Sequence, residues 1–409
     1  MDIGMDSHAA TESAANKRPL SIVFFIMLMD VIGLTVIIPV LPFIVQRYSN
    51  DAIMITALSG IYAAMQFIAA PAMGKISDRI GRRPVLLISV LGSAAGYFVF
   101  GIAGALWVLF LARAIDGITG GNMSTAAAYI ADVSTPEERP KNFALMGMAF
   151  GLGFIIGPAL GGAVSQISFD APAFAAGILS LVSVMLIFFL LPESLPKEKR
   201  DHSPLHPSDF NPLVAVGEMF RKPGLGLLLV VNCLFAFAFD SVNSTLGVYM
   251  VSQFSAQAWQ IGVLFVTTGL VTAVMQGVFV PRIVKRFGEK TMSVFSLAGV
   301  AVTLLLVCAA SQLWILLPIT MLESAIVGFI WSAMGTLMAN RVEPREQGRL
   351  AGVNTALQSL MAVFGPLTAG LAFDQVMPTA PFWLSAAVLI VGALLMLSVK
   401  VQRRAQPIA

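Results

Sequence analysis

The sequence predicts an all-α membrane protein: twelve transmembrane helices in two pseudo-symmetric six-helix bundles. Three observations carry this. Of its 409 residues 57% are hydrophobic and only 11% charged, whereas a water-facing domain usually has about 25% charged residues. Apolar runs of about 20 residues, the length that crosses a bilayer, recur along the chain. Lysine and arginine gather in alternate loops.

The runs lie near 20–43, 53–76, 84–104, 106–131, 141–166 and 171–192, then 223–250, 258–282, 290–310, 313–340, 349–373 and 380–400. The junctions Gly104-Ala105 and Ser311-Gln312 divide stretches too long for one helix. Of the 25 lysines and arginines, all but Arg47 and Arg113 precede the first run or follow an even-numbered one. Basic loops stay on the cytoplasmic side, so an even number of spans with both termini cytoplasmic is expected. The polar segment 1–19 reads as a cytoplasmic tail without a cleavable signal, 20–192 as the first bundle, 193–222 as a cytoplasmic linker with a short surface helix, 223–400 as the second bundle and 401–409 as a tail. The linker carries Pro192, Pro196, Pro204, Pro207 and Pro212 among charges, a semi-rigid composition.

An internal repeat supports that cut. Gly157-Pro158 matches Gly365-Pro366 and Pro136 matches Pro344, each 208 residues apart, and Gly81 matches Gly288 at 207. The net charge of +3 is scattered in short clusters and predicts no nucleic-acid partner. Cys233 and Cys308 sit in apolar runs and imply neither disulfide nor metal. His202 and His206 have no companion ligands, so no metal site is expected.

Four motifs follow in order. "GKISDRIGRRPVLL" (Gly74–Leu87) resembles the signature loop of the major facilitator superfamily. "LARAIDGITGGN" (Leu111–Asn122) resembles its fourth-helix motif. "GMAFGLGFIIGPALGG" (Gly147–Gly162) resembles the fifth-helix motif of its proton-coupled antiporters, and "LMDVIGLTVIIPVLP" (Leu28–Pro42) the first helix of the drug:proton antiporters. The whole chain most closely resembles the tetracycline/proton antiporter branch. The resemblance implies the major facilitator fold, a conformational latch at Gly74, Asp78, Arg79, Gly81, Arg82 and Asp132, and an antiporter motif at Gly153, Gly157, Pro158 and Gly161.

The residues give their own reasons. Gly74 and Gly81 are expected to permit a tight reversal. Asp78, the one acid among four bases, can sit at a helix N-terminus or pair with Arg79 or Arg82, and Asp132 is a further partner. Gly153, Gly157 and Gly161 make a smooth stripe on which another helix can lie, and Pro158 removes a backbone hydrogen bond and bends its helix.

Five ionisable residues lie inside spans: Asp30 in the first, Arg113 and Asp116 in the fourth, Asp240 in the seventh and Glu323 in the tenth. Each costs at least about 2.5–3.5 kcal/mol at mid-membrane unless it meets water or a partner. The resemblance makes these four helices the cavity-lining set. Arg113 and Asp116 share a helix face. The repeat relates Asp30 to Asp240 at 210 and Asp116 to Glu323 at 207. Burial and like charge favour the neutral acid, so at least one should carry a proton, and Arg113 is expected to organise the acids. Tyr62, Gln66, Asn122, Asn232, Phe239, Asn243, Gln276, Asn354 and Gln358 are the candidate substrate contacts, polar groups among aromatics as amphipathic pockets require.

The expectation is a proton-coupled antiporter exporting small amphipathic compounds by alternating access. The alternative is a proton symporter or facilitator importing a metabolite. It needs no cofactor beyond the proton gradient. Its partners are substrate, protons and the lipid of a bacterial inner membrane, and it should work as a monomer. With no nucleophile–base pair, metal triad or phosphate loop, it does not read as an enzyme. One departure bears on the substrate. The tetracycline branch carries acids in helices three and nine, where this chain has Gly96 and no acid, and acids in helices seven and ten appear instead.

Overall fold

The computed structural model describes residues 4–135, 138–201, 212–343 and 346–399. The predicted C-terminal tail and the middle of the linker, with His202 and His206, lie outside them. Among the described residues the structure is helical without strands, and eleven helices are long and apolar enough to cross a membrane. They are Pro19–Val45, Ala52–Ile80, Arg82–Gly101, Lys141–Val164, Ala171–Leu190, Leu225–Phe254, Ala258–Phe287, Glu289–Ala309, Leu313–Ala339, Arg349–Gln375 and Ala380–Ser398. The predicted fourth span, read as one run over 106–131, is instead two helices, Leu106–Thr119 and Asn122–Asp132, parted at Gly120-Gly121. With it the spans number twelve, and they keep their ordinal names below. The short linker helix is also present, at Pro212–Phe220.

Local chemistry sets the ends. Pro140, Pro172 and Pro381 stand in the first turns of the fifth, sixth and twelfth spans, where a missing N–H costs nothing. Gln257 and Gln260 close a capping box at the start of the eighth. The reversals before the third and ninth spans turn at Gly81 and Gly288, φ +109° and +81°, a region that glycine enters freely. Gly74 does not share that role: it lies inside the second-span helix Ala52–Ile80. Phe189, Ile178, Val302 and Leu394 face outward, since lipid demands an apolar exterior and a backbone satisfied within each helix. Trp107, Trp259, Trp314 and Trp383 are exposed at the ends remote from the basic loops, as interfacial tryptophans are.

The chain divides into two compact units, Met1–Ile44 with Met65–Phe210, and Val45–Ala64 with Asn211–Ala409. In the first unit the first span packs on the fifth and sixth, and the third on the fourth and sixth. In the second unit the seventh packs on the eleventh and twelfth, and the ninth on the tenth and twelfth, which is the same scheme repeated. The second unit also holds the outer half of the second span. There the Ala52 and Ile53 amides donate to the Asp374 carboxylate at 2.9 and 2.8 Å, so that an acid 322 residues away caps the helix.

The repeat register is visible in this packing. Gly157 lies on Thr35 and on the Ile32 carbonyl, and Gly365 on Ser241 and the Phe237 carbonyl. Thr35 and Ser241 are 206 apart. The counterpart of Asp30 is therefore Ala236 rather than Asp240. Asp240 is four residues further on, one helical turn or about 6 Å along the same face.

Candidate functional site

The first unit gathers four of the predicted polar residues. Asp30 is half-buried in the first span and accepts a hydrogen bond from Asn122 Nδ2 at 2.7 Å. Arg113 and Asp116, 5% and 3% exposed, pair within the fourth span at 3.2 Å. Ser93 and Tyr97 of the third span turn their hydroxyls toward the Asp116 carboxylate, with Ser93 Oγ also 3.3 Å from Thr119 Oγ1. Arg113 lies over the Phe100 ring, 5.8 Å from its centroid. Arg113 thus pairs with Asp116, and Asp30 takes its hydrogen bond from an amide. The two carboxyls are within electrostatic reach of each other.

The break in the fourth span positions Asn122. Interrupting a helix frees carbonyls that must find donors. Gln66 Nε2 donates to the Gly120 carbonyl at 3.0 Å, and the Ser89 hydroxyl donates to that of Thr119. Gly121 fits against Met73 and Ala70 of the second span. Asn122 opens the next helix with its Nδ2 on Asp30, and its Oδ1 is buried without a partner among the described residues.

The glycine stripe of the fifth span meets the first span. A Cβ on Gly153 would touch Val31, one on Gly157 would strike the Thr35 hydroxyl, and one on Gly161 would strike the Val36 carbonyl. Thr35 seals the contact by donating to the Gly153 carbonyl at 3.0 Å. Gly147 and Gly151 have open space around them. Pro158 lies inside the same helix.

At the signature loop Arg82 is the hub. It pairs with Asp78 at 2.7 Å and Asp132 at 3.1 Å, and donates to Ser77 Oγ at 2.6 Å. Glu193, at the start of the linker, accepts the Arg82 amide at 2.8 Å, and Ser194 donates to Asp132 at 3.0 Å. The corresponding loop of the second half has Lys285 for Asp78, Glu289 for Arg82 and Ala339 for Asp132, so the hub exists once. Arg79 has partners of its own.

In the second unit Asn232 donates to Asn354 Oδ1 at 2.7 Å, joining the seventh span to the eleventh. Phe235, Phe239 and Trp331 form one aromatic group with centroids 5.2 to 5.9 Å apart. Glu323 lines a small cavity between spans seven, nine, ten and twelve, walled by apolar side chains. Asp240 is half-buried and makes no ion pair among the described residues.

A family model described as Major Facilitator Superfamily matches residues 23–289 and 228–408. The chain belongs to that superfamily. Among the relatives of this facilitator is the tetracycline resistance protein, class C, of Escherichia coli, 31% identical over 392 residues that cover 95% of this chain and 97% of the relative. The class E protein of the same organism is 34% identical over 90% of this chain and 91% of its own length. The human organic anion transporter MFSD10 has the same fold, with a TM-score of 0.71 and 25% identity, over 93% of this chain and 99% of that one. This facilitator is a multi-pass membrane transporter of small molecules, not an enzyme.

The other predicted contacts of the facilitator fall in different settings. Asn243 Nδ2 donates to the Phe239 carbonyl of its own helix at 2.9 Å, a local bond. Gln276 is exposed within a five-residue π-helical turn, Met275–Phe279. Tyr62 and Gln358 are half-buried, Tyr62 in the second unit and Gln66 in the first. Sequence reasoning missed Ser93, Tyr97 and Trp331. Trp331 had a signal: it is the one tryptophan of five far from any predicted loop on the less basic side. Gly96 holds the place of the helix-three acid. A Cβ there would lie 3.1 Å from the Ala112 carbonyl and 3.2 Å from the Asp116 Cβ, so the fourth span would have to give by a few tenths of an ångström to admit a side chain.

Proposed function

We propose that this facilitator is a proton-coupled antiporter of a bacterial inner membrane, with both termini cytoplasmic, exporting small amphipathic compounds by alternating access. The observation that carries the reading is the hydrogen-bonded pair Asp30–Asn122 beside the ion pair Arg113–Asp116. Intramembrane acids are expensive and mark ion pathways. Among the described residues Asp30 makes no ion pair, and its amide partner suits either protonation state, donating to a carboxylate or, through Oδ1, accepting from an acid. The close fit of the fifth span on the first at Gly153, Gly157 and Gly161 supports exchange, which needs a wall tight to protons. The tetracycline resistance proteins of Escherichia coli lend support to export. Glycine rather than an acid at position 96 favours a substrate other than a tetracycline.

Everted vesicles test this. Respiring vesicles offered ethidium, a quinolone and tetracycline in turn should release protons for at least one compound. Asp30→Asn and Asp116→Asn should abolish that release with the protein still present in the membrane. Silence across the panel, or undiminished release in both variants, would overturn antiport.

A further inference from the structure

The two halves carry one intramembrane acid each at matching positions, Asp116 buried and Glu323 half-buried, in opposite surroundings. The third and ninth spans begin at Arg82 and Glu289, the fourth and tenth at Leu106 and Leu313. Both pairs are 207 residues apart, as are Gly81 and Gly288. In this register Asp116 answers to Glu323. The groups that serve Asp116 are Arg113, Ser93 and Tyr97. Their counterparts are Thr320, Val300 and Leu304. Thr320 turns its hydroxyl onto its own helix, donating to the Leu316 carbonyl at 2.9 Å. Val300 and Leu304, with Phe239, Val327 and Leu389, wall the cavity that Glu323 enters. One half therefore surrounds its acid with partners and the other with hydrocarbon.

Among the described residues no other charged side chain lines the cavity with Glu323. The seventh span presents Phe239 and Val242, the ninth Val300 and Leu304, and the twelfth Leu389. The other titratable groups of the neighbouring spans stand apart from its walls: Cys233, Asp240 and Tyr249 on the seventh, and Glu289, Lys290 and Cys308 on the ninth. So do Arg282, Lys285 and Arg286 on the eighth, and Arg349 and Asp374 on the eleventh. Glu323 makes no hydrogen bond or ion pair among the described residues. The cavity holds about 10 Å³, the limit for a single water. A drug-sized ligand needs a pocket of about 300 Å³ or more.

We infer that Glu323 is a proton-only site, binding and releasing a proton inside the second bundle from a cavity too small to admit substrate. Uptake forms one O–H bond on the carboxylate and release breaks it, with no other reagent. Asp116, by contrast, is committed to Arg113. The inference rests on the proton-coupled reading above, and adds to Asp30 a second acid that exchanges the proton.

Infrared difference spectra of the purified protein in lipid, stepped from acid to alkaline pH, read protonated carboxyls directly. Wild type should lose a protonated-carboxyl C=O band on the step. Glu323→Gln should lack that band, Glu323→Asp should shift it, and Asp116→Asn should keep it. Glu323→Gln should also bind ethidium or tetracycline, whichever drives proton release, within about twofold of wild type while losing uphill export. A band unchanged in Glu323→Gln, or affinity lowered tenfold, would overturn the inference. Should no compound move protons, the coupled reading fails, and the band still decides whether Glu323 titrates.

Discussion

Asn122 joins the fourth span to the first through its 2.7 Å hydrogen bond to Asp30, and it does so from the first residue after a broken helix. The break and the bond are one device. Without the turn at Gly120-Gly121 the amide would be carried elsewhere on the helix face.

Replacing Asn122 by leucine should therefore disable Asp30 while sparing the fold. A hydrogen bond to a charged group contributes ~1.5–3 kcal/mol, so substrate-driven proton release in everted vesicles should fall roughly tenfold to a hundredfold. The melting temperature in detergent should stay within a few degrees.

The glycine stripe separates two kinds of position. Gly161→Val forces a side chain onto the Val36 carbonyl, which cannot rotate away, and overpacking of this kind costs about 1–3 kcal/mol. Gly147→Ala meets nothing and should be neutral. Thermal unfolding of the two variants, monitored in the same detergent, checks the contrast.

A similar contrast holds at the signature loop. Gly81→Ala imposes φ +109° on a residue with a Cβ and drives that Cβ into the Glu193 carboxylate, with backbone strain of about 1–3 kcal/mol. Gly74→Ala has open space in an ordinary helix. Transport rate and melting temperature should drop for the first variant and hold for the second.

Asn232 and Asn354 should be coupled. A double-mutant cycle with Asn232→Ala and Asn354→Ala, read as unfolding free energy, should return about 0.5–1.5 kcal/mol. Additive single effects would show that the 2.7 Å bond does not hold in the membrane.

Trp331 is the test of the aromatic group. Trp331→Ala opens the cluster with Phe235 and Phe239 and should weaken ethidium binding about tenfold, the scale of a cation–π or stacking contact. Trp314→Ala, at the membrane rim, should leave it unchanged. Fluorescence titration distinguishes them.

The spans were legible because length and hydropathy are properties of the sequence alone. Gly104-Ala105 and Ser311-Gln312 fall in or beside the non-helical turns Ala103–Ala105 and Ala310–Gln312. The interruption at Gly120-Gly121 was not legible, since it is stabilised by Gln66 and Ser89 from other spans. The site residues were found as residue types but not as pairs. Nothing in the spacing says that Arg113 takes Asp116 and leaves Asp30 to Asn122, because that choice is made by the rotation of the first span against the fourth. The matching of Asp30 with Asp240 failed for the same reason: identical side chains one turn apart look equivalent until packing fixes the register.

The wide turn at Met275–Phe279 has a consequence for the history of the two halves. The second and eighth spans begin 206 residues apart, at Ala52 and Ala258, and end 207 apart, at Ile80 and Phe287. Between those points the eighth span runs one residue longer than the second. In an unbroken α-helix that residue would swing everything beyond it by about 100°, whereas a π turn swallows it locally and leaves Arg282, Lys285 and Arg286 on their original bearing. Deleting Gly277 should therefore yield a plain α-helix and a protein that still inserts, melts and sorts like its parent.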